Sequence, residues 1–177
     1  YLTELHGGTV EAASAGLGLG ATFTILLPIA IHASAASISN KDPDAVDANM
    51  LLANLRVLVV DDDPDMRDLT CTILEQAKAE AKAVASALEA LAQFPHFQPD
   101  LLISDIGMPE MDGYELIRRV RSLPPTQGGL TPAIALTAYA GEKEQKQALA
   151  AGFQAHLSKP IEPEEFIKAV VALVREQ

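Results

Sequence analysis

Over residues 55–177 the sequence predicts an α/β fold, a five-stranded parallel sheet with helices on both faces. Three observations carry this expectation. Strand-like and helix-like segments alternate five times, which implies parallel strands joined by right-handed helical crossovers. The first strand, Arg56-Val57-Leu58-Val59-Val60, is a continuous apolar run, the pattern of a strand covered on both faces. Reactive polar residues gather just past the strand ends, at Asp61-Asp62-Asp63, Asp105, Thr137-Ala138 and Ser158-Lys159-Pro160. In open parallel sheets that edge is where ligands bind.

The chain in order begins with a different texture. Tyr1 to His6 read as the last turns of a helix stopped by Gly7-Gly8. Two short segments, 9–14 and 21–28, flank Gly16-Leu17-Gly18-Leu19-Gly20 and predict a hairpin. The glycine spacing favours a flexible turn over a phosphate loop. Residues 31–54, rich in Ala, Ser, Asn and Asp, read as an interdomain linker, with a short helix starting at Met50-Leu51-Leu52. A lone hairpin is marginally stable in water, so residues 9–29 must be loose, packed on another domain or paired with another chain.

From 55 onward each segment has a local reason. The helix after the first strand carries Met66, Leu69, Thr70, Ile73 and Leu74 at helical spacing, with Pro64 suited to its first turn. A weaker strand, 81–85, precedes a helix through Leu88, Leu91 and Phe94. The third strand, 101–104, leads to Asp112 and Glu115, which form a capping box for the helix bearing Ile117 and Val120. The fourth strand is 133–136; its helix pairs Glu142 with Lys146 and ends at Gly152. A fifth strand, 154–157, precedes a final helix that carries Phe166, Ile167, Val170, Val171 and Val174.

Leu101-Leu102-Ile103-Ser104-Asp105 stops an apolar run at one carboxylate, and Met108-Pro109 and Met111-Asp112-Gly113 follow at once. Alone, an aspartate at a strand end serves equally as a turn residue or a helix cap. Three further stretches, 57–67, 134–139 and 156–160, match in the same sense, and together the segment 56–176 resembles the response-regulator receiver domain. The resemblance implies a flavodoxin-like strand order, 2-1-3-4-5, and makes Asp105 the phosphoacceptor. Leu5-His6-Gly7-Gly8-Thr9-Val10, Ser14, Gly20-Ala21-Thr22-Phe23 and Leu27-Pro28 resemble the end of a sensor histidine kinase ATPase domain. The expected organisation is therefore an ATPase-domain remnant at 1–30, a linker at 31–54 and a receiver domain at 55–177, a piece of a hybrid histidine kinase. The upstream ATP-binding boxes and the phosphorylated-histidine helix have no counterpart here, so this segment should not act as a kinase by itself.

Charge and composition fit that expectation. A formal net charge of -11, with only 13 Lys and Arg, argues against a nucleic-acid-binding surface. The 24 carboxylates suit a cation-binding protein. The single cysteine, Cys71, excludes an internal disulfide, fits a reducing cytoplasm and is placed to pack. No apolar stretch approaches the roughly 20 residues that span a bilayer, so no direct membrane contact is expected. The chain starts at Tyr1 without a methionine or signal-like segment, and reads as an excised piece of something longer.

Carboxylates converging on one edge repel one another, and a hard divalent cation relieves this. Magnesium would take Asp62 and Asp105 directly, Asp61 through water, and a backbone carbonyl from the loop after Asp105. By the resemblance that carbonyl belongs to Gly107. Asp63 and Asp65 are read as acidic residues at a helix start. An aspartate attacking a phosphoryl group needs alignment and charge neutralisation more than a strong base. Lys159 would supply a positive charge, with Asp105 as its resting partner, and Thr137 a hydroxyl.

The resemblance further implies a cis Lys159-Pro160 bond, a histidine kinase or histidine phosphotransfer protein as partner, and a switch through Thr137. His156 stands where the family usually has Tyr or Phe; it is read either as a polar, titratable version of that switch or as an ordinary edge-strand histidine. Two other classes stay open: a receiver-fold binding module without chemistry, and a phosphatase of the haloacid dehalogenase type using Asp61 and Asp63. The latter needs a second acidic motif near the chain end, where residues 141–177 offer Glu162, Glu164 and Glu165 on a helix and not a Gly-Asp loop.

Overall fold

A computed structural model describes residues 9–14, 16, 18, 20–26, 52–138 and 141–175. The expected helix end at 1–6 and the linker up to residue 51 lie outside them. The chain divides into two compact units, Tyr1–Lys41 and Asp42–Gln177. In the first, β1 (Thr9–Ala13) and β2 (Thr22–Leu26) pair antiparallel, in register Thr9 opposite Leu26 and Ala13 opposite Thr22. This is the predicted hairpin.

The second unit holds β3 (Arg56–Val60), α1 (Pro64–Gln76), β4 (Glu80–Val84), α2 (Ala87–Phe97), β5 (Leu101–Asp105), α3 (Gly113–Arg121), β6 (Ala133–Thr137), α4 (Glu142–Ala151), β7 (Ala155–Ser158) and α5 (Pro163–Arg175). All strand pairs are parallel, and the order β4-β3-β5-β6-β7 is the predicted 2-1-3-4-5. β5 and β6 are buried along their whole length, which explains their unbroken apolar runs. Alternate residues of these strands feed two cores. Leu58, Val60, Leu102, Ala133 and Ala135 pack with Phe94, Leu116 and Ile117; Val57, Val59, Leu101, Ile103, Ile134 and Leu136 pack with Ile73, Leu74, Phe166 and Val170. Each fully buried Val, Leu, Ile or Phe among them contributes about 1.5–3 kcal/mol.

Several local expectations need correction. Leu69 and Leu88 have helical spacing but are 42% and 51% exposed, because a helix on a sheet buries only one stripe. Residues 52–54 form a turn, and Leu52 still reaches the second core, fully buried. The capping box at α3 is half formed: Asp112 accepts from the Glu115 amide at 2.7 Å, whereas the Glu115 side chain turns outward to Arg119 at 2.6 Å. A reciprocal arrangement appears instead at α2, where Ser86 accepts from the Glu89 amide and Glu89 accepts from the Ala85 amide. Gly152 ends α4 at φ +119 as expected, and the Glu142–Lys146 pair forms at 3.5 Å on the surface.

Candidate functional site

Asp61 follows β3, whose last ladder contact is the Asp61 amide donating to the Val84 carbonyl at 3.3 Å. Its side chain is 1% exposed, and each of its oxygens has a donor. The Asp63 amide donates to Oδ1 at 3.0 Å and Lys159 Nζ donates to Oδ2 at 2.7 Å. Asp62 is exposed. Asp63 caps α1, accepting from the Asp65 amide at 2.9 Å with Pro64 at the first helical position. That role agrees with its reading as a helix-start residue and leaves it unsuited to an Asp61–Asp63 catalytic pair.

Asp105 ends β5 and is 7% exposed. The loop after it is fastened in three ways. The Ile106 amide donates to Leu136 O at 3.0 Å, the Gly113 amide donates to Ile106 O at 3.0 Å, and Met108 and Met111 are both 6% exposed in the first core. A Cβ at Gly113 would collide with the Asp105 carbonyl and the Ile106 Cα, so only glycine permits this close return of the chain. Gly107 lies beside the Asp105 carboxylate, since a Cβ placed on it would stand 3.7 Å from Asp105 Oδ2. The sequence signalled the turn through Asp112-Gly113, but gave the two methionines no role.

Lys159 comes from the far end of the sheet. Its amide donates to the Thr137 carbonyl at 2.7 Å, the Lys159-Pro160 peptide is cis, and its ammonium lies 2.7 Å from Asp61 Oδ2 and 3.1 Å from Asp105 Oδ1. The expected pairing with Asp105 is present, and Asp61 is a second and nearer partner. Burial alone would lower the Lys159 pKa, but the Asp61 hydrogen bond and the charge of Asp105 reverse this and the pKa is raised. Asp61 is also raised, because burial outweighs the lowering by Lys159 and the Asp63 amide. An ion pair alone would lower the Asp61 pKa; the opposite shift follows from its being the more deeply buried partner.

Thr137 ends β6 and is buried. His156 pairs with Ala135 across β6 and β7, which puts it on the same sheet face as Thr137, one diagonal step away. Its Nε2 is enclosed without a hydrogen-bond partner. Cys71 packs half-buried against the second core, and burial pushes its thiol pKa up, so it is a poor nucleophile.

Asp61, Asp62 and Asp105 each offer a carboxylate oxygen, and these atoms lie within 4.8 Å of one another. An all-oxygen donor set of this kind fits a hard divalent cation. Among the described residues no helix is long and apolar enough to cross a membrane.

Comparison with known proteins gives consistent findings. A family model described as "Response regulator receiver domain" matches residues 57–171. The chain is 51% identical over 119 residues to the "Uncharacterized 14.6 kDa protein in sodA1 3'region" of Leptolyngbya boryana, covering 67% of this chain and 89% of that one. It is 33% identical over 144 residues to Sensor protein EvgS of Escherichia coli (strain K12), covering 81% of this chain but 11% of the sensor. Chemotaxis protein CheY4 of Vibrio cholerae superposes with a TM-score of 0.64 at 32% identity, over 68% of this chain and 99% of that one. The signal receiver domain of a signal transduction histidine kinase from Syntrophus aciditrophicus gives 0.61 at 30%, over 68% and 90%.

Proposed function

Because the chain belongs to the response regulator receiver family, we propose that it takes a phosphoryl group onto Asp105 from a phosphohistidine and relays the signal through a protein partner. The observation that carries this reading is the convergence of Asp61, Asp62 and Asp105 within 4.8 Å, with the Lys159 ammonium against two of them. A carboxylate oxygen of Asp105 attacks phosphorus; the oxygen–phosphorus bond forms as the nitrogen–phosphorus bond breaks, and the electron pair leaves with the imidazole nitrogen. Lys159 balances charge on the phosphoryl oxygens, and Thr137 donates its hydroxyl to one of them.

Asp62 and Asp105 would hold magnesium directly. Asp61, both of whose oxygens already have protein donors, would act through water, and Gly107 would add its carbonyl. Bound there, magnesium would neutralise the phosphoryl charge and help align it for in-line transfer. His156 would turn with Thr137 as the phosphorylated state forms.

The partner is a histidine kinase or a histidine phosphotransfer protein. The whole protein would be a hybrid sensor kinase, with residues 1–30 the end of its ATPase domain and 31–54 a linker to the receiver. The β1–β2 hairpin and the 144-residue match to a much longer sensor protein support this organisation.

The test is acetyl phosphate treatment with and without magnesium, followed by intact mass, beside an Asp105→Asn control. A magnesium-dependent, base-labile adduct absent from the control is the expected result. No adduct on a folded wild-type chain would leave a binding module as the better account.

A further inference from the structure

The residues that present the acidic pair leave the sheet just where its ladder ends, and their backbone needs other partners. Arg67, half-buried in the first turns of α1, meets that need. Its Nη1 donates to the Asp61 carbonyl at 2.8 Å and to the Asp62 carbonyl at 3.0 Å. The same loop is tied at Asp63, whose amide donates to Asp61 Oδ1 and whose carbonyl accepts from the Arg67 amide at 3.1 Å. Arg67 thus grips both peptide groups that carry Asp61 and Asp62, from a helix anchored in the second core through Ile73 and Leu74.

We propose that Arg67 is a positioning residue for the divalent-cation site: it fixes the backbone of Asp61 and Asp62 so that their carboxylates face Asp105. This rests on the magnesium reading above, yet it makes a separate claim with its own sign. Arg67 sits among carboxylates at 61, 62, 63, 65 and 68. If it acted by charge alone, removing it would relieve repulsion of an incoming cation and tighten binding. If it positions the ligands, removing it weakens binding, as loss of groups that orient metal ligands commonly does by about 10–100-fold.

The experiment is calorimetric titration of the full chain with magnesium chloride, without a phosphoryl donor, for wild type, Arg67→Met and Arg67→Lys, with thermal unfolding to verify folding. The expected result is about tenfold weaker binding in Arg67→Met and a smaller loss in Arg67→Lys, whose ammonium keeps the charge and part of the donor capacity. Equal or tighter binding in Arg67→Met would overturn the proposal. Should Arg67→Met fail to fold, Arg67→Lys decides by itself: weaker binding supports the positioning role, and wild-type affinity overturns it.

With acetyl phosphate added, half-saturating magnesium should rise in step while the uptake rate at saturating magnesium stays within about twofold, since uniform binding is lost and no contact with the reacting atoms. A rate lost at saturating magnesium with unchanged half-saturation would overturn it. A wild-type chain that binds magnesium but takes no phosphoryl group would refute the phosphoacceptor function and leave this inference standing.

Discussion

Lys159 and Arg121 are both cations partly sunk into the same sheet unit, at opposite ends of its strands, and they hold opposite kinds of partner. Lys159, at the carboxyl end of β7, faces the carboxylates of Asp61 and Asp105. Arg121, at the end of α3, faces neutral oxygens just before β6 and β7. Its guanidinium donates to the carbonyls of Gly152, Gly129 and Thr131 and to the side chain of Gln154, at 2.7–3.0 Å. Burial lowers the Arg121 pKa with no anion to offset it, whereas the anions around Lys159 raise its pKa despite burial. Carbonyls of a folded backbone stay where they are. Carboxylates can be neutralised, bridged by a cation or esterified, so a cation that leans on them can be released to a new partner.

Replacing each cation by Met separates the two roles most sharply. Lys159→Met should slow phosphoryl uptake from acetyl phosphate by about 100-fold, the usual loss for one charge-stabilising donor, as followed by intact mass. Arg121→Met should leave that rate unchanged and lower unfolding stability by about 2–3 kcal/mol, because a charged donor to several carbonyls is lost and they stay enclosed. Urea titration measures this. Equal effects of the two variants on uptake would break the contrast.

The pH dependence gives a third test, read as the stability of wild type minus that of Asp61→Asn. Because the folded-state pKa of Asp61 is raised, the native chain holds that proton more tightly than the unfolded one. Stability therefore falls as pH climbs from 3.8, the ordinary value for Asp, up to the raised one. The difference should decline across that window and flatten above it. For Lys159 the raised pKa gives a contribution present below 10.5 and lost as pH rises through the folded value. The smallest effect belongs to Thr70, 1% exposed, whose hydroxyl has no hydrogen-bond partner. Thr70→Val should be neutral or stabilising by up to about 1 kcal/mol, since an unpaired buried hydroxyl disappears.

The two cations also differ in how far the sequence disclosed them. Lys159 stands in a Ser-Lys-Pro stretch at a strand end, and its approach to Asp105 was legible from the alternation of elements and the edge where parallel sheets bind ligands. Its closer bond to Asp61 was not, because tenths of an ångström between two neighbouring carboxylates depend on packing. Arg121 and Arg67 carried no signal of their roles in the sequence. Their partners are backbone carbonyls, which every residue has, so no residue type marks them. Helical spacing located Ile73, Phe94 and Ile117 in the cores and overreached at Leu69 and Leu88, because spacing gives the stripe but not its width.

The Lys159–Asp61 bond joins residues 98 apart in the chain. During synthesis the acidic pair leaves the ribosome long before its counter-cation exists, and several seconds separate them at about 5–20 residues per second. Throughout that interval the nascent chain holds the carboxylates without the lysine that bonds to them. The site is thus completed last, when β7 has joined β6, and a product truncated before residue 159 would lack the cation that faces Asp61 and Asp105.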